Sequence, residues 1–278
     1  MRLLSTRELA DAIGVSESSL KRWIDSGKIG ASRTEGGHRR VALTEAMRFI
    51  RDQRAPIARP ELLDLPEISA ARARNDSLLA YLLDGDYVAA RGFLVGKYLE
   101  GARIAELADG PIRDAMHALG ELWHHDDHGI FIEHRGTDVC LQAVAQLRAL
   151  LPAPPAHAPC ALGGAPAGDP YLLPSLLASL TALEAGLNAI NLGPNTPSEA
   201  FAAAVAKQKP KLVWVSISTA LTPASKRALG RWLAGLPRTT VCLVGGQQAQ
   251  TLGALPPHAQ RVASMVQIAE VAAQHALA

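Results

Sequence analysis

Four of the nine histidines in this chain lie within twelve residues, in the stretch WHHDDHGIFIEH from Trp123 to His134. They are His124, His125, His128 and His134. Clustered imidazoles can ligate a metal or relay a proton, and the tryptophan can lie against a flat ligand. His124 and His128 are four residues apart with Asp126 between them, but Gly129 is expected to end the helix that a zinc site would need. A flat ligand and a proton relay therefore stay open, and zinc is disfavoured.

The composition predicts a soluble protein with more than one core. The chain has 278 residues, which is enough for two or three domains. It contains no long uncharged apolar run, and the polar helix signals after Met1 do not resemble a signal peptide, so we expect no membrane span and a cytoplasmic location. Three widely separated cysteines without a CxxC pair argue against a zinc ribbon or a disulfide framework. We expect Cys140, Cys160 and Cys242 to be buried thiols.

Basic charge is concentrated at the amino terminus. Residues 1–54 carry 11 Lys and Arg against 7 Asp and Glu, while the remainder carries 17 against 19. In the same segment Ser5 and Glu8 form a capping box and Ser16 caps a second short helix. Two short helices joined by a tight turn predict a helix-turn-helix, and Gly36-Gly37 predicts the tip of a wing.

The stretch STRELADAIGVSESSLKRWIDSGKI followed by SRTEGGHRRV resembles the winged-helix DNA-binding head of MerR-family regulators. The resemblance implies that Lys21 and Arg22 approach the major groove of a double-stranded DNA operator. Basic wing residues would bind phosphates or the minor groove. These are Arg33, His38, Arg39 and Arg40. Trp23 is expected in the core of the head rather than at a base.

We predict a multidomain protein that combines α and α/β domains. Residues 1–54 form the winged helix-turn-helix head, and 55–74, interrupted by prolines, form a linker. Residues 75–152 have apolar spacing that predicts a bundle of three or four helices of about ten to seventeen residues. Residues 158–278 alternate apolar runs with helical patterns, which predicts a doubly wound parallel sheet of the flavodoxin-like or Rossmann-like type.

Ligands bind such sheets at the carboxyl ends of the strands. We therefore expect one crevice lined by small residues that follow the apolar runs. They are Gly163, Gly164, Gly193, Ser216, Ser218, Gly245 and Gly246. Thr196 is expected to cap the helix that begins at Pro197.

The order GG, GDPYLLP, LEAGLNAINLGPNTP, VSIST and VGG resembles the cobalamin-binding domain of methionine synthase and of light-sensing repressors. The resemblance implies that Ser216, Ser218, Gly245 and Gly246 accommodate a nucleotide tail that passes between sheet and helix. One position departs from the family motif Asp-x-His-x-x-Gly, in which the histidine coordinates cobalt and the aspartate orients it. This chain has Asp169-Pro170-Tyr171 and Pro174 instead, and tyrosine is a poor cobalt ligand near neutral pH.

A helical bundle ahead of such a domain, with nine residues between Trp123 and Glu133-His134, resembles the W-x9-E-H motif of the CarH/LitR light-dependent repressors. The resemblance implies that Trp123 and Glu133 hold the adenosyl group of adenosylcobalamin and that His124 captures cobalt after photolysis. An alternative chromophore is a linear tetrapyrrole such as biliverdin. Tyr171 removes the cobalt ligand, and further donors are available to pyrrole nitrogens. These are His125, Asp126 and His128.

The leading hypothesis is a light-responsive transcriptional repressor, without turnover, that forms a homo-oligomer such as a dimer or tetramer. The same architecture with biliverdin is the first alternative. A ligand-independent DNA-binding regulator with a degenerate pocket is the second. A cobalamin-dependent enzyme module is the least favoured, because a DNA-binding head is fused to it and a substrate domain is missing.

Overall fold

A computed structural model of the chain describes residues 2–65, 77–122 and 127–276. The chain divides into two compact units. Unit 1 holds Met1–Arg103 and Gly110–Pro152, and unit 2 holds Ile104–Asp109 and Ala153–Ala278. Within the described ranges, each helix is too short or too polar to cross a lipid bilayer.

The first part of unit 1 is a helix-turn-helix with a β-hairpin. Its elements are β1 (Leu3–Ser5), α1 (Thr6–Ile13), α2 (Glu17–Asp25), β2 (Ser32–Arg33), β3 (Arg39–Ala42) and α3 (Leu43–Gln53). The strands form an antiparallel sheet in the order β1-β3-β2. The predicted helix-turn-helix and wing are therefore both present.

Local side chains set the ends of α1 and α2 as the sequence predicts. The Ser5 hydroxyl accepts from Glu8 N at 3.2 Å, and the Glu8 carboxylate accepts from Ser5 N at 2.7 Å. Gly14 ends α1 at φ +70°, a conformation that favours glycine. The Ser16 hydroxyl accepts from Ser19 N at 3.1 Å and caps α2. The capping signals are confirmed at these positions.

The wing is the β2–β3 hairpin, and its turn closes where Gly37 N donates to Thr34 O at 2.8 Å. Gly37 has φ +78°, which explains the glycine at this corner. Trp23 is half-buried, and its ring packs on Phe49 with centroids 5.4 Å apart. Trp23 thus packs against the core of the head but is not fully enclosed in it, so its predicted core position is confirmed only in part.

The second part of unit 1 is a set of helices. They are α4 (Leu78–Asp84), α5 (Tyr87–Leu99), α7 (Arg113–Leu122) and α8 (Asp127–Leu150), while α6 (Ile104–Leu107) belongs to unit 2. A short 3-10 turn, Pro60–Leu63, precedes them. Helix α8 packs against α4, α5 and α7.

The expected helix end at Gly129 is wrong, because α8, which is 24 residues long, begins at Asp127 and runs through it. A glycine inside a helix costs about 1 kcal/mol, and packing against three helices outweighs that cost. A second glycine in α8, Gly136, has a packing reason. A Cβ there would lie 3.0 Å from the Leu119 side chain and 3.2 Å from Leu82 O. The helix is also longer than the predicted ten to seventeen residues.

Arg51 connects the head to the helices inside unit 1. Its guanidinium donates to Tyr98 O at 2.8 Å and to Ala102 O at 2.9 Å, and it lies 3.7 Å from the centre of the Tyr98 ring. Tyr98 is in the last turn of α5. A cation there complements the negative end of the helix dipole at the terminal carbonyls of α5.

Unit 2 is a doubly wound α/β sandwich. Its remaining elements are β4 (Cys160–Gly164), α9 (Leu173–Glu184), β5 (Asn188–Asn191), α10 (Ser198–Gln208), β6 (Leu212–Ser216), α11 (Pro223–Ala234), β7 (Val241–Gly245), β8 (Ala259–Arg261) and α12 (Met265–Ala276). The five strands are parallel in the order β5-β4-β6-β7-β8. This flavodoxin-like order confirms the predicted fold class and places the topological switch point between β4 and β6.

Helices cover both faces of the sheet. The side chains of β6 point alternately to the two faces. Val213 and Val215 pack in the core beneath α10 and α11. Leu212 and Trp214 join the core under α9 and α12. The thiols of Cys140 and Cys242 are buried as predicted, and burial raises the pKa of both to about 12. The same prediction is wrong for Cys160, which is only half-buried at the start of β4.

The expected cap of α10 by Thr196 is wrong. The helix begins at Ser198, and the residue before it, Pro197, has no side chain that can accept a hydrogen bond. The Thr196 hydroxyl instead donates to Leu192 O at 3.3 Å and to Gly193 O at 3.2 Å. Thr196 therefore closes the loop after β5.

Candidate functional site

Helix α2 presents a polar surface at the amino-terminal head. Leu20 is its buried residue, and Arg22 is exposed. Lys21 Nζ forms an ion pair with Glu17 at 2.9 Å, one turn earlier on the same helix. The Arg22 guanidinium donates a long hydrogen bond to the Ser19 hydroxyl at 3.4 Å, while the charge of Lys21 is partly compensated by Glu17.

The wing residues differ in their surroundings. Arg33 and His38 are exposed on the hairpin. Arg39 is held by Asp25 at the end of α2, with N–O distances of 2.7 and 3.2 Å to the same carboxylate oxygen. Arg40 is half-buried, and its charge is one of the smaller causes that lower the pKa of Glu8. Hairpin and α2 therefore form one basic surface with an internal ion pair.

The stretch from Trp123 to His134 falls partly outside the described residues. Those outside are Trp123, His124, His125 and Asp126. On α8, the Glu133 carboxylate accepts from the Thr137 hydroxyl at 2.8 Å, and its other oxygen lies 3.5 Å from His134 Nε2. His128 is exposed and lies roughly 140° around the helix from Glu133, at about 100° per residue. The structure brings Glu133 and His134 together but places His128 on another face.

Phe131 is a residue that sequence reasoning missed. Its side chain is 53% exposed, with the His128 ring 6.2 Å away and the Arg135 guanidinium 5.0 Å from its ring centre. An apolar residue at this spacing is usually core, so the pattern gave no signal of exposure. Groups of three or more potential metal ligands are absent from the described ranges.

Asp169 organises the carboxyl edge of the unit 2 sheet. Its fully buried carboxylate accepts from Ser218 N at 2.5 Å and from Thr219 N at 3.4 Å through one oxygen. The other oxygen accepts from Tyr171 N at 3.0 Å. Both oxygens are thus engaged by main-chain N–H groups that follow β4 and β6.

The loop after β5 is tied to the same point. Asn195 N donates to Asp169 O at 2.8 Å, and the Asn195 side-chain oxygen accepts from Gly168 N at 2.7 Å. Ala165 N donates to Gly193 O at 2.9 Å. The loops after β4, β5 and β6 therefore form one hydrogen-bonded platform at the switch point.

Two predicted residues face open space on this platform. The Tyr171 side chain is 51% exposed. Gly193 has φ +84°, and a Cβ at this position would meet nothing within 4 Å. Pro174 lies in the first turn of α9. An open, rigid edge with one aromatic side chain can accept the face of a flat ligand.

The glycines and serines after β6 and β7 are packed against the protein itself. A Cβ on Gly246 would lie 2.3 Å from Ile217 O, and one on Gly245 would lie 3.2 Å from the Val262 side chain. Ser216 is buried at the end of β6, and Ser218 is half-buried. These residues bring two loops into contact and form no empty cradle beside Gly246.

Three comparisons with known proteins bear on the fold. A family model described as a helix-turn-helix domain matches residues 3–54. The Methanosarcina barkeri monomethylamine corrinoid protein matches with a TM-score of 0.54 and 15% identity, over 73% of this chain and 99% of that one. No curated protein matches the chain.

Two further solved structures match more weakly. The methanol:cobalamin methyltransferase complex MtaBC from Methanosarcina barkeri has a TM-score of 0.35 and 16% identity, over 92% of this chain and 91% of that one. A cobalamin-binding protein from Desulfitobacterium hafniense DCB-2 has a TM-score of 0.34 and 15% identity, over 71% and 96%. The chain thus has a helix-turn-helix head at residues 3–54, and its fold is similar to that of the Methanosarcina barkeri monomethylamine corrinoid protein.

Proposed function

We propose that this chain is a transcriptional regulator of the MerR type that binds duplex DNA through its head and a tetrapyrrole at the carboxyl edge of unit 2. The observation that carries the proposal is the pairing of the two parts in one chain. A basic helix-turn-helix precedes an α/β unit whose loops form a rigid, open platform at the switch point. Ligands bind doubly wound sheets at this point.

The residues do not fit cobalamin held in the usual way of the cobalamin-binding family. The expected histidine beneath cobalt is Tyr171, and Asp169, which would orient that histidine, already binds the loops. The predicted cradle of Gly245 and Gly246 is closed. A corrinoid on this platform would depend on contacts to the faces and rim of its ring.

Adenosylcobalamin is proposed as chromophore on the resemblance of Trp123, Glu133 and His134 to the CarH/LitR motif. The group supplies a photolabile cobalt–carbon bond. Within this chain, Glu133 is already oriented by Thr137 and so offers a fixed carboxylate oxygen. A linear tetrapyrrole such as biliverdin is the second candidate, favoured by Tyr171, which presents an exposed aromatic ring where a metal ligand is expected.

In this proposal the ligand changes an equilibrium and no substrate is turned over. The chain acts as a cytoplasmic homo-oligomer on a two-fold symmetric operator, and the ligand favours one assembly over another. Such control requires different affinities of the ligand for the two states.

The full-length protein tests the proposal after expression in cells supplied with both cobalamin and biliverdin. We expect a coloured protein whose absorption and mass spectra identify a tetrapyrrole. The affinity for a duplex DNA sequence obtained by selection should change at least about tenfold, or about 1.4 kcal/mol. This change is expected between ligand-loaded and ligand-free protein, or between dark and illuminated protein. A colourless protein with unchanged DNA affinity would instead establish the ligand-independent regulator.

The head is tested separately by salt titration. Arg33→Ala should lower the slope of log affinity against log salt by about 0.9, because one phosphate contact is lost. Lys207→Ala, an exposed lysine on α10, is the matched control and should leave the slope unchanged. An unchanged slope for Arg33→Ala would remove the wing from the DNA interface.

A further inference from the structure

Trp214 fills the layer between the sheet of unit 2 and α9. The residue lies on β6, is 2% exposed, and belongs to the core that α9 and α12 cover. Its indole N–H donates to the Ser175 hydroxyl on α9 at 3.1 Å. The Ser175 hydroxyl in turn donates to the Asn191 side-chain oxygen at the end of β5, at 2.7 Å. The indole is therefore fixed at its polar end as well as by packing.

The small residues around Trp214 serve the indole. A Cβ on Gly163 of β4 would lie 2.3 Å from Trp214 Cδ2 and 2.4 Å from Trp214 Cγ. Only glycine leaves room for the ring at this close approach. Ala178 and Ala182 of α9 belong to the same core cluster. The space that these small residues leave between the sheet and α9 is thus already filled by the Trp214 indole.

On the same face of the sheet, a Cβ on Gly245 would lie 3.2 Å from the side chain of Val262, which packs against the Trp214 core, so this layer is filled from the carboxyl edge as well. A ligand group that entered here would have to displace a buried indole and leave its N–H and the Ser175 hydroxyl without partners. Unsatisfied buried polar groups are unfavourable. Binding at the platform therefore stops at its surface.

We propose that Trp214 takes the place of an inserted ligand tail, so that the platform recognises the ring of a tetrapyrrole and is indifferent to a nucleotide tail. This inference rests on the proposed tetrapyrrole binding and specifies its ligand class. Ring-only ligands, such as cobinamide among corrinoids or biliverdin among linear tetrapyrroles, suffice. Trp214 is a specificity-determining residue in this proposal, although it does not touch the ligand.

The test is a titration of the intact protein, followed by absorbance, with cobalamin, cobinamide and biliverdin. We expect cobinamide and cobalamin to bind within about threefold of each other. Binding of biliverdin alone also supports a ring-only platform. Cobalamin at least tenfold tighter than cobinamide would overturn the inference while leaving tetrapyrrole binding intact.

An indole probe separates this inference from the proposed function. The Trp214 Nε1–H should exchange slowly with solvent, both without ligand and at saturation with whichever tetrapyrrole binds. If the protein binds none of the three ligands and the indole N–H still exchanges slowly, the inference that the layer is blocked is supported and only the proposed function is rejected. Fast exchange or a displaced indole on ligand binding would overturn the inference.

Variants give the reverse test. Trp214→Ala should open the layer and shift the ratio of affinities at least tenfold toward cobalamin over cobinamide. If that variant fails to fold, Trp214→Phe takes its place. This change removes the hydrogen bond to Ser175 but retains most of the ring, and the absorbance of the bound tetrapyrrole reports the ratio of the two affinities. Trp232→Phe, in the core on the opposite face, is the matched control and should leave the ratio unchanged. An unchanged ratio in Trp214→Ala would contradict the inference.

Discussion

Asp169 illustrates how one residue type can keep its place in a motif while its partners change. The sequence places it two residues before Tyr171, where the family resemblance implies a carboxylate that orients an imidazole. In the structure its oxygens accept from Tyr171 N and Ser218 N. Ser218 is 49 residues further along the chain, so no local pattern could predict that contact.

The role of Asp169 predicts the effect of an amide. Asp169→Asn turns an NH2 group toward one of the main-chain donors, so at least one buried N–H loses its acceptor. We expect unit 2 to lose about 1–3 kcal/mol of stability. Urea-dependent hydrogen exchange of the loops after β5 and β6 measures this. Asp138→Asn, an exposed change on α8, should have no effect, and equal loss in both variants would contradict the role given to Asp169.

At the scale of elements, α1 shows which parts of the fold are encoded locally. Its capping box, its final Gly14 and the cap of α2 all lie within three residues of the helix ends that they set. Helix α8 shows the opposite, because its passage through Gly129 depends on packing against three other helices. Local signals therefore predict the head better than they predict the helices that follow it.

The capping box of α1 predicts a pH dependence. The hydrogen bond from Ser5 N, followed by that with the Ser5 side chain, lowers the pKa of Glu8 below 4.5. A depressed pKa stabilises the folded head above the unfolded pKa, and this contribution disappears as pH falls through the folded value. Glu8→Gln should therefore destabilise α1 at pH 7, with a difference from the parent that shrinks below about pH 4.5.

Amide hydrogen exchange in α1 between pH 3 and 7 checks this expectation. Glu35→Gln, at the exposed turn of the wing, is the control and should match the parent throughout. Ser5→Ala should cost about 1 kcal/mol through the lost cap. If the difference in hydrogen exchange between Glu8→Gln and the parent protein did not change with pH, the charge of the carboxylate would not be involved.

At the scale of the whole molecule, the alternation of apolar runs and helical patterns was enough to predict the parallel sheet of unit 2. It could not predict that Gly163 and Trp214, on neighbouring strands, fill one layer together. Composition identifies small residues but does not identify what occupies the space beside them. The candidate ligand residues were named from a resemblance, and their joint action stays a prediction.

Arg51 joins α3 of the head to the carboxyl end of α5 within unit 1. Arg51→Met keeps the aliphatic stem but removes the hydrogen bonds to Tyr98 O and Ala102 O. We expect the head to open independently of α5, with about 1–3 kcal/mol lost from its protection against hydrogen exchange. Arg48→Met, on the same helix with exposed ion pairs to Glu45 and Asp52, should lose less than about 1 kcal/mol. Equal effects would place the coupling elsewhere.

The segment Ile104–Asp109 belongs to unit 2 although unit 1 surrounds it in the sequence. The Asp109 carboxylate accepts from Met265 N and Val266 N, both at 2.9 Å, at the start of α12. Those partners are synthesised 156 residues later, which at about 5–20 residues per second is a delay of roughly 8 to 30 seconds on the ribosome. Unit 1 can fold during that interval, whereas Ile104 and Leu107 cannot be fully buried until α12 has been synthesised. A nascent chain stalled before α12 would expose this apolar segment, so its sensitivity to chaperones should persist until α12 has been synthesised.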